Sequence, residues 1–228
     1  MINTTKIIIK LLPEFIKKPL KKWNDSRIIT KWQQGGANYP PPHVLKQRII
    51  AEYQKQYNYS IFIETGTYLG SMVYAQKKRF SKIYSIELGY ELYLNAKQRF
   101  KNNKNIHILQ GDSGKVLPLL MTEIDAPAIF WLDGHYSAGI TAKGEKDCPI
   151  FEELEAIFNA SKYHAHVLLI DDARLFIGKS DYPTIDTLLA FIKNRNNLYQ
   201  LEIKNDVIRI AIPAKLLQCG DKISQSTV

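Results

Sequence analysis

Cysteine is nearly absent from this chain: of its 228 residues only Cys148 and Cys219 carry thiols. They lie far apart and make no metal-like or redox pair, which excludes a disulfide framework and leaves two free thiols of a reducing compartment. Long apolar runs are missing too. The stretch Ile7 to Leu12 is interrupted by Lys10 and is followed by no small-residue cleavage site, so no secretory leader is expected. No segment approaches the roughly 20 apolar residues that span a bilayer. Internal repeats and low-complexity segments are also lacking. These absences point to a cytoplasmic protein, with membrane contact at most peripheral.

Acidic residues are scarce in one region only. Residues 1–59 hold 11 Lys/Arg against 3 Asp/Glu, a balance of +8, whereas residues 60–228 hold 20 against 19, a balance of +1. A nucleic-acid enzyme spreads basic side chains along its active face, because phosphate neutralisation dominates its affinity. The near-neutral body argues against nucleic acid as a partner. The basic excess belongs to an N-terminal extension, residues 1–42, ahead of a single domain over residues 43–228. Within residues 1–34, Ile8, Leu11, Leu12, Phe15, Ile16 and Trp23 share one helical arc, with Lys6, Lys10, Lys17 and Lys21 opposite. Pro13 and Pro19 are expected to break this stretch into more than one helix. It reads either as a basic foot for an anionic membrane surface or acidic partner, or as helix packed on the domain with solvated lysines.

What is present in quantity is alternation. Apolar strand-like runs Ile61–Ile63, Ile83–Ile86, Ile106–Leu109, Ala128–Leu132 and Val167–Ile170 alternate with helical patterns at Ser71–Phe80, Glu91–Lys101, Lys115–Met121, Ile150–Asn159 and Thr184–Asn194. Short connections between them predict an α/β fold with a doubly wound, mostly parallel sheet. Tyr199–Ile203 and Val207–Ile212, separated by Lys204-Asn205-Asp206, close the chain as an antiparallel hairpin and bring the sheet to seven strands.

Five successive strands each end at a carboxylate: Glu64, Glu87, Asp112, Asp133 and Asp171. In an open parallel sheet ligands bind beyond the carboxyl ends of the strands, so these acids converge on one crevice. Any one of them alone reads equally well as a turn or cap residue. After the first strand comes Glu64-x-Gly66-x-x-x-Gly70. A dinucleotide fingerprint needs three glycines, G-x-G-x-x-G, and Glu64 stands where the first belongs.

This acid, glycine and second glycine four residues on resemble the first motif of the class I S-adenosylmethionine-dependent methyltransferases, and the likeness covers about residues 60–212. It implies a Rossmann-like methyltransferase fold and S-adenosylmethionine as cofactor. Carried onto this sequence, Gly66, Thr67 and Gly70 form the loop that the methionine end approaches, and Glu64 orients that loop and the cofactor's amine. Glu87 matches the acid that holds the ribose hydroxyls, and Asp112 with Ser113 the position that receives the adenine amino group.

Asp133 followed by Asp171-Asp172 also resembles the metal-dependent O-methyltransferases of the catechol and macrocin types. That likeness implies a divalent cation on Asp133, Asp171 and Asp172, Mg²⁺ or Mn²⁺ by the hardness of the ligands. The alternative for the acid pair is a turn cap. His135 is the candidate general base, since a near-neutral imidazole accepts a hydroxyl proton at physiological pH. Tyr136 and Lys143 could orient substrate or be structural. Arg174 could bind an acidic substrate group or pair with Asp171 or Asp172. His164 and His166 stand at the end of the fifth strand away from the crevice. The polar loop Gly139–Asp147 is unlike a slot for a flat catechol ring and suits a hydroxyl-rich acceptor, a glycan or small metabolite. Competing readings are an NAD-binding oxidoreductase or sugar-modifying enzyme on a similar sheet, and a non-catalytic adaptor that docks on a membrane.

Overall fold

The computed structural model describes residues 13–134, 148–160 and 165–217. The chain forms two compact units, one up to Arg48 and one from Ile49 onward.

In the first unit, α1 (Glu14–Gln34) is one helix with Pro13 just outside its start and Pro19 inside it. Pro13 bounds this helix, and the residues before it lie outside those described; the break expected at Pro19 is not observed. Pro13 sits where helix N–H groups are unpaired anyway, and Pro19, close to the same end, removes a single bond to the Phe15 carbonyl. The helix closes through Gly35, whose N–H reaches Lys31 O at 3.0 Å. Trp32 Nε1 donates to Asn38 O at 2.6 Å and so folds the following stretch back. Helix α2 (His43–Tyr57) begins in this unit, where Arg48 donates to Ser26 Oγ at 2.8 Å, and continues into the second.

The second unit is a seven-stranded sheet: β1 (Ile61–Thr65), β2 (Lys82–Glu87), β3 (Ile106–Gln110), β4 (Ala128–Leu132), β5 (Val167–Ile170), β6 (Gln200–Lys204) and β7 (Val207–Ala211), in the spatial order β3-β2-β1-β4-β5-β7-β6. The first five strands are parallel and β7 runs antiparallel to β5 and β6. Strands β1, β4 and β5 are buried at every residue, as a parallel sheet covered on both faces requires. Val207–Ala211 is buried almost throughout while Gln200–Lys204 is largely exposed, so the more apolar hairpin arm lies inside and the polar one forms the edge.

Between the strands run α3 (Ser71–Gln76), α4 (Tyr90–Phe100), α5 (Ser113–Met121), α6 (Ile150–Phe158) and α7 (Ile185–Arg195). One sheet face presents Ile63, Phe130, Leu168 and Ile210 to Leu117 and Leu120 of α5, Leu154 and Ile157 of α6, and Leu188 and Ile192 of α7. The opposite face carries Phe62, Ile83, Ile129 and Leu169, all buried. Helix α3 stops at Gln76, short of the expected Phe80. Asn105 donates from Nδ2 to Lys77 O and Phe80 O, each at 3.1 Å. The chain thereby leaves the helix and stacks Phe80 on Phe62, with centroids 5.2 Å apart.

Candidate functional site

The register of the sheet decides which side chains meet at its carboxyl edge. Thr65 of β1 pairs with Leu132 of β4 and Ile86 of β2, so the turns after these three strands leave the sheet side by side. Gly66 comes first. Its N–H reaches Ile86 O at 2.9 Å, its φ is +86°, and a Cβ there would stand 2.5 Å from the Asp133 carbonyl oxygen. Only glycine fits that left-handed backbone against the neighbouring turn. Thr65 Oγ1 accepts the Asp133 N–H at 3.1 Å and fastens the two turns together. Gly70, at φ +69°, ends the loop, and a Cβ there would meet the Phe100 ring at 2.7 Å.

Beneath this loop runs a chain of buried polar groups. Glu64 and Ser85 are register partners on β1 and β2. Ser85 Oγ donates to Glu64 Oε2 at 2.6 Å, and Thr67 Oγ1 stands 2.6 Å from Ser85 Oγ. Glu64 is 2% exposed. Burial pushes its carboxyl up to about 8, opposed by the Ser85 hydrogen bond and reinforced by the negative charges of Asp133 and Glu87. Glu87, itself buried, accepts the Tyr68 N–H on Oε2 at 2.7 Å and the Gly89 N–H on Oε1 at 2.8 Å. A carboxylate oxygen has two acceptor positions, so Glu87 orders the loop and keeps capacity for further donors.

Asp112 caps α5, with Oδ1 accepting the Gly114 N–H at 2.9 Å. Ser113 Oγ is turned away to Glu153 Oε1 at 2.6 Å, which leaves Asp112 as the polar acceptor of the two. At the next turn a Cβ on Gly134 would come within 2.7 Å of Glu153 Oε1. Glu153, 1% exposed, therefore helps shape the crevice. A cleft beside it is lined by Gly134, Cys148, Glu153, Asp171, Phe176 and Tyr182. The Cys148 thiol there is pushed up to about 12, chiefly by burial.

Asp133 and Asp171 follow the paired residues Leu132 and Ile170, and the Asp171 N–H donates to Leu132 O at 3.1 Å. The two acids are thus neighbours at the edge. Asp172 is directed elsewhere. Its backbone is left-handed, at φ +56°, its N–H donates to Asp171 Oδ1 at 2.8 Å, and its own Oδ1 takes the Arg174 guanidinium at 2.8 Å. Arg174 also grips the buried carboxylate of Asp206 in the β6–β7 turn, and its N–H reaches Asp206 Oδ1 at 2.9 Å. Among the described residues no three His, Cys, Asp or Glu side chains converge as a metal site. Asp172 is engaged by an arginine and Asp171 Oδ1 by one backbone N–H, contacts that a cation on Asp133, Asp171 and Asp172 would have to share or displace.

His135, Tyr136, Lys143 and the loop Gly139–Asp147 lie outside the described residues, as do His164 and Cys219. His166 stands at the opposite end of the sheet, where Nδ1 accepts the Ala128 N–H at 3.1 Å. Sequence reasoning missed Thr65, Ser85, Glu153 and Asp206. Ser85 and Glu153 had a signal: each is a polar residue inside an otherwise apolar strand or helix stripe, Glu153 lying between Ile150 and Ile157. Asp206 had none beyond its place in a turn.

A glycine loop, buried acids and a crevice gather at the carboxyl edge of an open α/β sheet, over β1, β2 and β4, where sheets of this kind take ligands. No protein-family model matches the sequence, and no curated protein does. Solved structures do match. The methyltransferase PaMTH1 of Podospora anserina, bound to S-adenosylhomocysteine, aligns with a TM-score of 0.56 at 13% identity over 89% of this chain and 98% of its own. The O-methyltransferase TomG of Streptomyces achromogenes, in complex with S-adenosylmethionine, aligns with 0.56 at 13% identity over 83% of this chain and 88% of its own. An O-methyltransferase of Bacillus cereus, in complex with S-adenosylhomocysteine, gives 0.55 at 11% identity over 83% and 90%. The second unit has the Rossmann-like fold of the S-adenosylmethionine-dependent methyltransferases, with its antiparallel β5-β7-β6 end.

Proposed function

We propose that this chain is an S-adenosylmethionine-dependent methyltransferase that methylates a hydroxyl of a glycan or small metabolite. The observation that carries the reading is the loop Glu64–Gly70, closed on the Asp133 turn by Gly66 and held from below by Glu87. Acids after each of the five parallel strands suit a cationic cofactor without phosphates better than a dinucleotide. In this reading Gly66 and Thr67 lie against the methionine end, Glu87 takes the ribose hydroxyls and Asp112 the adenine amino group. The cofactor supplies an electrophilic methyl group. The protein supplies orientation, which is most of what methyl transfer requires.

In this reading the acceptor enters by the cleft that Gly134 and Asp171 line, next to the Asp133 turn. Glu153 and Tyr182 offer it hydrogen bonds and Phe176 an apolar wall. Asp133, or His135 two residues along the chain, receives the hydroxyl proton. No step is assigned to a metal. The Arg174–Asp172 pair favours a metal-free reaction over the cation-assisted form that the acid series suggested. Calorimetry with S-adenosylhomocysteine tests the cofactor: the full chain binds it, and Glu87→Gln weakens binding about tenfold, as expected for hydrogen bonds to a charged acceptor. Absence of binding by the folded wild-type chain would sink the proposal.

A further inference from the structure

Helix α1 holds large apolar side chains in solvent: Phe15 is 75% exposed, Trp23 62%, Leu20 43% and Ile28 40%. Scattered exposed apolar residues are ordinary, so their arrangement decides the matter. At about 100° per residue, Phe15, Ile16, Pro19, Leu20 and Trp23 fall within one arc of about 140°, and positions 17, 18, 21 and 22, all lysine, fall in the opposite arc; the segregation belongs to these first turns, since Ile28 lies on the lysine side and Arg27 on the apolar side. Lys21, Lys22, Arg27 and Lys31 are exposed. Over Glu14–Gln34 six Lys/Arg face only Glu14 and Asp25. Asp25 is itself paired with Lys21, at 3.4 Å. Arg27 lies over the Trp23 ring at 5.3 Å, keeping a cation beside the most exposed indole of the helix.

A helix with wet aromatics, a lysine arc and low overall hydropathy has the composition of one that lies in a lipid interface, with Trp at the headgroup level. It does not have that of a spanning helix, and no helix among the described residues is long and apolar enough to cross a membrane. We propose that α1 docks on an anionic bilayer surface, with Phe15, Leu20 and Trp23 entering the headgroup region and Lys21 and Lys22 meeting acidic lipids. The proposal is independent of the methyl-transfer reading, since it concerns the first unit alone.

The test is sedimentation of the full chain with vesicles of phosphatidylcholine alone and of phosphatidylcholine mixed with phosphatidylserine. Binding is expected on the mixed vesicles only and falls as salt rises. Each basic residue near an anionic surface contributes about fivefold to partitioning, so Lys21→Gln/Lys22→Gln lowers it roughly 30-fold. Trp23→Ala lowers it as well, and both variants retain the wild-type circular dichroism because the altered side chains are exposed. Failure to bind the mixed vesicles, equal binding to neutral vesicles, or an undiminished double variant overturns the proposal. So does retention on RNA with no vesicle binding, which would assign the basic helix to nucleic acid instead.

Discussion

Replacing Glu64 by glutamine isolates the buried acid under the Gly66–Gly70 loop. In the folded chain the carboxyl rises from an ordinary 4.5 to about 8, with burial as the main cause. The folded state therefore holds a proton on Glu64 that the unfolded state releases above pH 4.5, and stability falls as pH rises between the two values. The full difference corresponds to ~5 kcal/mol, lost at about 1.4 kcal/mol per pH unit. Glutamine keeps the shape and the acceptor for Ser85 but cannot ionise. In urea denaturation the two proteins are expected to lie within ~1 kcal/mol at pH 5.5, with the variant gaining ~3 kcal/mol on the wild type by pH 8.5. Other titrating groups cancel in the comparison, because Asp133, Glu87 and the hydroxyls of Ser85 and Thr67 are present in both proteins. On the proposed function, saturating S-adenosylmethionine moves the break to lower pH, since its positive charge favours the carboxylate. Neutral-sulfur S-adenosylhomocysteine moves it less. A gap that stays constant from pH 5.5 to 8.5 refutes the reasoning and makes Glu64 a solvated, ionised acid.

Three further outcomes follow from the same edge of the sheet. Gly66→Ala forces a left-handed alanine and a Cβ 2.5 Å from the Asp133 carbonyl, so thermal denaturation should show a loss of about 2–4 kcal/mol and calorimetry a loss of cofactor binding. Arg174→Met leaves the Asp206 carboxylate, whose side chain is 1% exposed, without its guanidinium. Because Arg174 is itself 33% exposed, the expected destabilisation is about 2 kcal/mol rather than the 3–5 of a fully buried pair, read from urea midpoints. Methyl transfer measured after dialysis against a chelator should equal that of untreated enzyme. A tenfold loss restored by Mg²⁺ would show that Asp133 and Asp171 recruit a cation with residues beyond those described.

The elements legible in the sequence are those whose cause is local. Apolar β-branched runs that stop at Glu64, Glu87, Asp133 and Asp171 mark strands and the edge they share, because a parallel sheet covered on both faces needs such runs. The glycines at 66 and 70 mark a turn, though not their reason, since the atoms that exclude a Cβ belong to Asp133 and Phe100, far away in sequence. Pro19 misled for the opposite reason. A local rule was applied where the proline, just past the first turn, removes a single bond to the Phe15 carbonyl and the helix stays continuous.

The hidden part of the site is non-local. Thr65 matters through the Asp133 N–H, Ser85 through its register with Glu64, and Arg174 through Asp206 in a turn 32 positions on. The expected role of Asp172 depended on such a contact. From sequence, Asp171-Asp172 offers two carboxylates to one cation. In the fold, positive φ at Asp172 sends the second one toward Arg174, and the arginine is held there because Asp206, buried beneath it, needs the same positive charge. The direction of the Asp172 carboxylate is therefore set by the β6–β7 turn, through Asp206 and the arginine it holds, and not by the acid pair itself.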